Sequence, residues 1–244
     1  MITRHHLALT GLGTLILGVT FLPEDFSGIF VLVLASCIGT VLPDFHMKKP
    51  KSVKARIPAW CIAQFTLWFI LPVIHRIYRF LGKNIDPLDK KVTHSLPGIF
   101  LVWGVVSIIT GVLSICDIFL TGSSGILSLT EIFLAGILLG MLLHLFEDLC
   151  TRKGLYPLYP FSTGYIYGSI RPCNTSDPRI RRYLMCNAAV IFLIITARIL
   201  GINGYPLIIS GMLGFLICRG LMLAQSDIEF SDNLPEPGKI PVFT

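Results

Sequence analysis

Apolar residues fall into six runs, at about 5–22, 27–43, 96–117, 126–146, 184–201 and 204–222, separated by short polar connections. A helix needs about 20 mostly apolar residues, rising about 1.5 Å each, to cross roughly 30 Å of hydrocarbon. The pattern predicts an all-α, polytopic transmembrane helical bundle of about six spans. A further run, 59–81, "AWCIAQFTLWFILPVIHRIYRFL", is divided by Pro72 and carries His75, Arg76 and Arg79 in its second half. The stretch before the proline is short for a span, so this run is expected to be an interfacial or re-entrant helix outside the span count.

Composition agrees: the 244 residues are 53% hydrophobic and 14% charged, with a mean hydropathy of +0.75, whereas soluble domains carry about 25% charge. The net charge of +6 does not indicate nucleic acid, because the basic residues lie in short connections without aromatic interleaving or a recognition motif. The seven cysteines form no C-x-x-C pair, and several lie in apolar runs where thiols pack as small hydrophobes. No small-x-small cleavage site precedes the acidic residues Glu24 and Asp25, so the first run is read as a span rather than a signal peptide. No linker divides the chain: residues 1–225 form one transmembrane domain, and the polar tail 226–244 is expected to be partly disordered.

With six spans, 19 of the 20 Lys and Arg residues fall on one side, and Arg198 alone lies near the other. That bias marks the cytoplasmic face. The ends of the runs on that side carry the candidate chemistry. His5 and His6 open the first span, "VLPDFHM" closes the second with Asp44 and His46, "DKKVTHSLPG" opens the next with Asp89 and His94, and "HLFED" closes its neighbour with His144, Glu147 and Asp148. His144 and Asp148 are four apart, so they share a helix face. Asp44 and His46, two apart, face the same side only if the chain is extended there, which Pro43 encourages. Thr93 is placed as the N-cap of the helix beginning near 96, and Thr93 and Ser95 are read as capping residues rather than nucleophiles.

Mixed histidine and aspartate suits zinc, with manganese or iron as the other candidates, rather than an all-oxygen magnesium or calcium site. His6, Asp44, His46, Asp89, His94, His144 and Asp148 are the candidate ligands. A tetrahedral zinc takes about four ligands, so this set suits one or two ions.

These motifs resemble the YdjM-like family of membrane-bound, metal-dependent hydrolases, LexA-regulated inner-membrane proteins. The family pattern has an N-terminal His, L-P-D-x-D, H-R-x-x-T-H-S, and H-x-x-x-D followed by L-T-x-x-G and a W-P-F-like segment. The parallels here are His6, "LPDFH", "DKKVTHS" and "HLFEDLCTRKGLYPLYPFS", between about 5 and 163. Two departures stand out: His46 replaces the second Asp, and Asp89-Lys90 replaces the His-Arg pair.

The resemblance implies metal-dependent hydrolysis. A site at headgroup level beside Lys90, Lys91, Arg152 and Lys153 favours an anionic membrane substrate, such as a phospholipid or polyprenyl phosphate; for Arg152 and Lys153, topology and headgroup anchoring explain the charge equally well. Glu147 is the carboxylate left for a general base, although an outer role behind a ligand is the commoner use of such a residue. Lys90 stands with it as a catalytic candidate. The competing expectations are a metal-binding transporter and a non-catalytic regulatory membrane protein. The sequence carries no signal for the oligomeric state.

Overall fold

A computed structural model describes residues 3–45, 57–86, 88–121, 125–171 and 177–231. It is an all-α membrane helical bundle: α1 (Thr3–Phe21), α2 (Phe26–Val41), α3 (Ile57–Phe80), α4 (Leu96–Thr121), α5 (Gly125–Leu149), α6 (Arg179–Ile199) and α7 (Tyr205–Ala224). Strands β1 (Tyr165–Tyr167) and β2 (Glu229–Ser231) pair antiparallel. The six runs of the sequence become α1, α2 and α4–α7. Many of their large apolar side chains face outward, among them Phe30, Ile108, Leu193 and Leu213, as expected where the solvent is lipid rather than water.

Run 59–81 differs from expectation. Pro72 does not divide it: α3 is one helix of 24 residues, long and apolar enough to cross a membrane. The reason is local. A π-helical turn over Thr66–Ile70 precedes the proline, which then occupies the first turn of the next α segment. A proline in a helix interior lacks an N–H and strikes the preceding carbonyl row, and a widened turn relieves both.

Apart from α2 and α3, successive helices alternate in direction about one end of the bundle. That end holds the start of α1 (His6), the end of α2 (Asp44), the start of α4 (His94) and the end of α5 (His144, Asp148). The start of α6 and the end of α7 meet there too, where Arg179 donates to the Gln225 carbonyl. The end of α3 reaches the same region, since Tyr78 packs on Phe161 and the Leu96 amide bonds Pro157. Helices α2 and α3 therefore run towards the same face, so the clusters stay together, and the connection 46–56 lies outside the described residues.

Close packing of α2 on α5 sets the spacing of the site. A Cβ at Gly39 would overlap the Ile137 carbonyl, and one at Gly140 would overlap that of Ser36. Gly136 and Gly140 form a small-xxx-small face on α5, which lets helix backbones approach within the membrane. Beyond α5 the chain folds over the polar end. Gly154, at φ 57°, occupies the left-handed region, and the Ile166 carbonyl leaves no room there for a Cβ. The tail begins in order, with Ser226 buried and Glu229–Ser231 in the sheet; residues 232–244 lie outside the described residues.

Candidate metal centre

Each cluster owes its position to a local device. The chain leaves α2 at Leu42, and the Pro43 carbonyl accepts from Thr93 Oγ1 at 2.9 Å, which ties the segment carrying Asp44 to the one carrying His94. Thr93 makes this long-range bond, and the cap of α4 is Ser95, whose hydroxyl accepts from the Gly98 amide at 3.1 Å. His144 and Asp148, one turn apart on α5, point the same way.

The donors converge. Asp44 Oδ1 lies 3.4 Å from His94 Nε2, which lies 3.3 Å from His144 Nε2 and 3.7 Å from Asp148 Oδ2; His144 Nε2 to Asp148 Oδ2 is 3.6 Å. Donors bound about 2.0–2.2 Å from a tetrahedral ion are separated by roughly 3.3–3.6 Å. His94, His144 and Asp148 are buried, and Asp44 is the most exposed of the four.

Tautomer logic supports the same reading. His94 Nδ1 lies 3.2 Å from the Lys90 carbonyl, which can only accept, so the nitrogen there donates and Nε2 keeps its lone pair. That lone pair faces two carboxylate oxygens. Burial pushes the His94 imidazole down to about 4, so it is neutral at pH 7. An acceptor nitrogen turned towards carboxylate oxygens is the arrangement a bound cation satisfies, so the residues present fit a metal ion. Among the described residues, two groups of side chains could hold one, His6 with His144 and Asp148, and Asp44 with His94 and His144.

His6 joins from the opposite side. Its ring stacks on His144 at 4.1 Å, and its Nε2 lies 3.3 Å from Asp148 Oδ1, the oxygen turned away from His94. Its Nδ1 lies 2.6 Å from Glu147 Oε2. A carboxylate behind a histidine ligand fixes the ring and its tautomer. Glu147, which the sequence offers as a general base, is fully buried, and its second oxygen accepts from Thr10 at 3.2 Å and faces Arg219 at 3.8 Å. Both oxygens therefore point behind His6, which assigns Glu147 an orienting place.

Lys90 donates to Asp44 Oδ1 at 2.7 Å and is part-exposed at the mouth. Asp89 lies elsewhere: Oδ1 accepts from the Lys91 amide, capping the short turn Lys90–Val92, and Oδ2 faces Lys91 Nζ at 3.8 Å. It belongs to neither group of converging donors, because capping that turn directs its carboxylate away from them. His46 lies outside the described residues. The donors gathered here are thus His6, Asp44, His94, His144 and Asp148.

Sequence reasoning did not single out Arg219, Asn187 or Thr10. Arg219 donates to Asn187 Oδ1 at 2.9 Å and to the Leu9 carbonyl at 3.4 Å, which joins α7, α6 and α1 behind the centre. The available signal was its charge, the one charged residue in run 204–222.

No curated protein and no solved structure matches the chain. The YdjM inner membrane protein family matches residues 1–206, well beyond the motifs that end near 163. Those motifs are the ones whose side chains converge here, and the chain belongs to the YdjM inner membrane protein family.

Proposed function

We propose that this chain is a membrane-bound metal-dependent hydrolase acting on a phosphoester of a membrane lipid or polyprenyl phosphate, with its centre at the cytoplasmic face. The observation that carries the proposal is the convergence of two donor groups that share His144, Asp44 with His94 and His144 and His6 with His144 and Asp148, beside the part-exposed Lys90. The donor chemistry favours zinc over magnesium or calcium. Five donors suit one ion, or a pair sharing Asp148, whose two oxygens face different histidines.

A bound divalent ion would polarise a phosphoryl oxygen and lower the pKa of a coordinated water from about 16 towards about 7. The protein's part is positioning. Glu147 holds His6, the Lys90 carbonyl holds His94, and the Lys90 ammonium restrains Asp44 while offering positive charge to an approaching phosphate. Burial of the other donors leaves the Asp44 side as the approach.

The test incubates purified, metal-loaded protein with phospholipids and polyprenyl phosphates and follows phosphate or headgroup release. Release by the wild type and none by Asp44→Ala supports the reading. Equal release by both attributes the activity to another site, and metal flux in proteoliposomes without release supports a transporter. One contact disfavours transport: a cation moving inward from the centre would meet the buried Arg219 guanidinium.

A further inference from the structure

We infer that the groove between α2, α3, α4 and α5 seats the hydrocarbon chain of a lipid whose phosphate reaches the metal centre. The inference rests on the hydrolase reading for the headgroup and on separate observations for the chain.

The groove has a volume of about 370 Å³ and is walled by Ile38, Leu42, Cys61, Phe65, Thr110 and Phe133 among others. Its lining is almost wholly apolar. Cys61 and Phe65, on α3, are exposed, so it opens sideways, where the surrounding medium is lipid. Thr110 and Phe133 also line a second hollow, with Leu113 and Leu129, which extends the groove along α4 and α5.

Position connects it to the centre. Leu42 is two residues before Asp44, the most exposed of the four converging donors, so the groove's upper wall and the open side of the centre share the end of α2. Thr110 lies 14 residues beyond Leu96 (110 − 96), about 21 Å along α4 at 1.5 Å per residue. Half of a hydrocarbon core is about 15 Å, so the groove extends to the midplane and beyond, and its deep part can take the far end of an acyl chain whose headgroup sits at the interface. A soluble phosphate ester would have no use for this wall; a lipid phosphate uses both.

The test reconstitutes the full chain in phosphatidylcholine vesicles containing phosphatidic acid with a photoreactive diazirine near the end of one acyl chain; a parallel sample carries the diazirine on phosphatidylcholine. Adducts are mapped by mass spectrometry, and labelling requires no turnover. Phosphatidic acid adducts should concentrate near Cys61, Phe65 and Thr110, in preference to Leu193 and Leu213 on the outer faces of α6 and α7. Filling the groove from either wall, with Thr110→Trp or Cys61→Trp, should reduce them about fivefold while bound metal stays unchanged. Adducts spread evenly over the outer faces, or unaffected by both substitutions, overturn the inference; if both variants misfold, the wild-type map decides alone. Groove labelling without phosphate release would leave the inference standing and reject the hydrolase reading, and release without groove labelling would do the reverse. Preferential labelling by phosphatidylcholine would overturn the link to an anionic phosphate.

Discussion

His6 and Glu147, 141 residues apart in sequence, meet at 2.6 Å in the buried end of the bundle. The contact places a carboxylate behind one face of His6 while its other nitrogen faces Asp148.

Loss of that carboxylate's charge should loosen the centre. Glu147→Gln preserves volume, and partners behind a metal-binding histidine typically contribute about 10–100-fold in affinity. Competition with a chelating dye should show weakening in that range, with the helical circular dichroism retained. Unchanged affinity would mean that Glu147 does not orient a ligand.

Asp148→Ala and Asp89→Ala should separate the two acidic candidates. Asp148 converges with three histidines, whereas Asp89 caps a short turn beside Lys91. Purified Asp148→Ala should lose most of its bound metal by elemental analysis, and Asp89→Ala should keep it, at a capping cost of about 1 kcal/mol. Metal loss in Asp89→Ala alone would reverse the assignment.

The backbone approach of α2 to α5 predicts a steric effect far from any donor atom. Gly140→Leu would force its side chain against the Ser36 backbone, while Gly104, with open space around its Cβ position, should accept the same change. Overpacking typically costs about 1–3 kcal/mol, so Gly140→Leu should lower the detergent melting temperature and bound metal together. Equal behaviour of the two variants would show that this crossing does not set the centre.

Much of this arrangement could be read from run ends. His6, Asp44, His94, His144 and Asp148 each stand where an apolar run begins or stops, and the charge bias put those ends on one face. Asp89 was misleading because a carboxylate before a short turn has a local use, and spacing alone cannot tell a cap from a ligand. The continuity of α3 was hidden by Pro72, since a π turn leaves little trace in composition. Arg219 was legible as an isolated charge in an apolar run, but its partners on α1, α5 and α6 depend on packing that no local pattern encodes.

Acid should weaken the fold through His94. Burial holds the folded imidazole at about 4 against an ordinary 6.5, so between these values the unfolded chain binds a proton that the folded chain does not. Stability is therefore insensitive to this group above pH 6.5 and falls as pH drops from 6.5 towards 4. Unfolding of metal-free protein in detergent from pH 7.5 to 4.5 should show the decline, reduced in His94→Gln. The same decline in both proteins would assign it to other groups.

The shared polar end predicts its own topology. Lys90 contacts Asp44, and Arg179 contacts Gln225, so the connections at 90 and 225 emerge on one side, whereas the turn after α6, around Asn203, lies at the far end of two helices of 21 and 20 residues. The basic residues around 90, 152–153 and 179–182 predict, by the positive-inside rule, that the first side is cytoplasmic. Single cysteines at 90, 203 and 225 in a cysteine-free background distinguish the faces with a membrane-impermeant maleimide. In intact cells position 203 should label while 90 and 225 are protected, and all three should label once the membrane is opened. Labelling of 90 and 203 from the same side would refute the orientation, because the contacts at the polar end would then have to form across the bilayer.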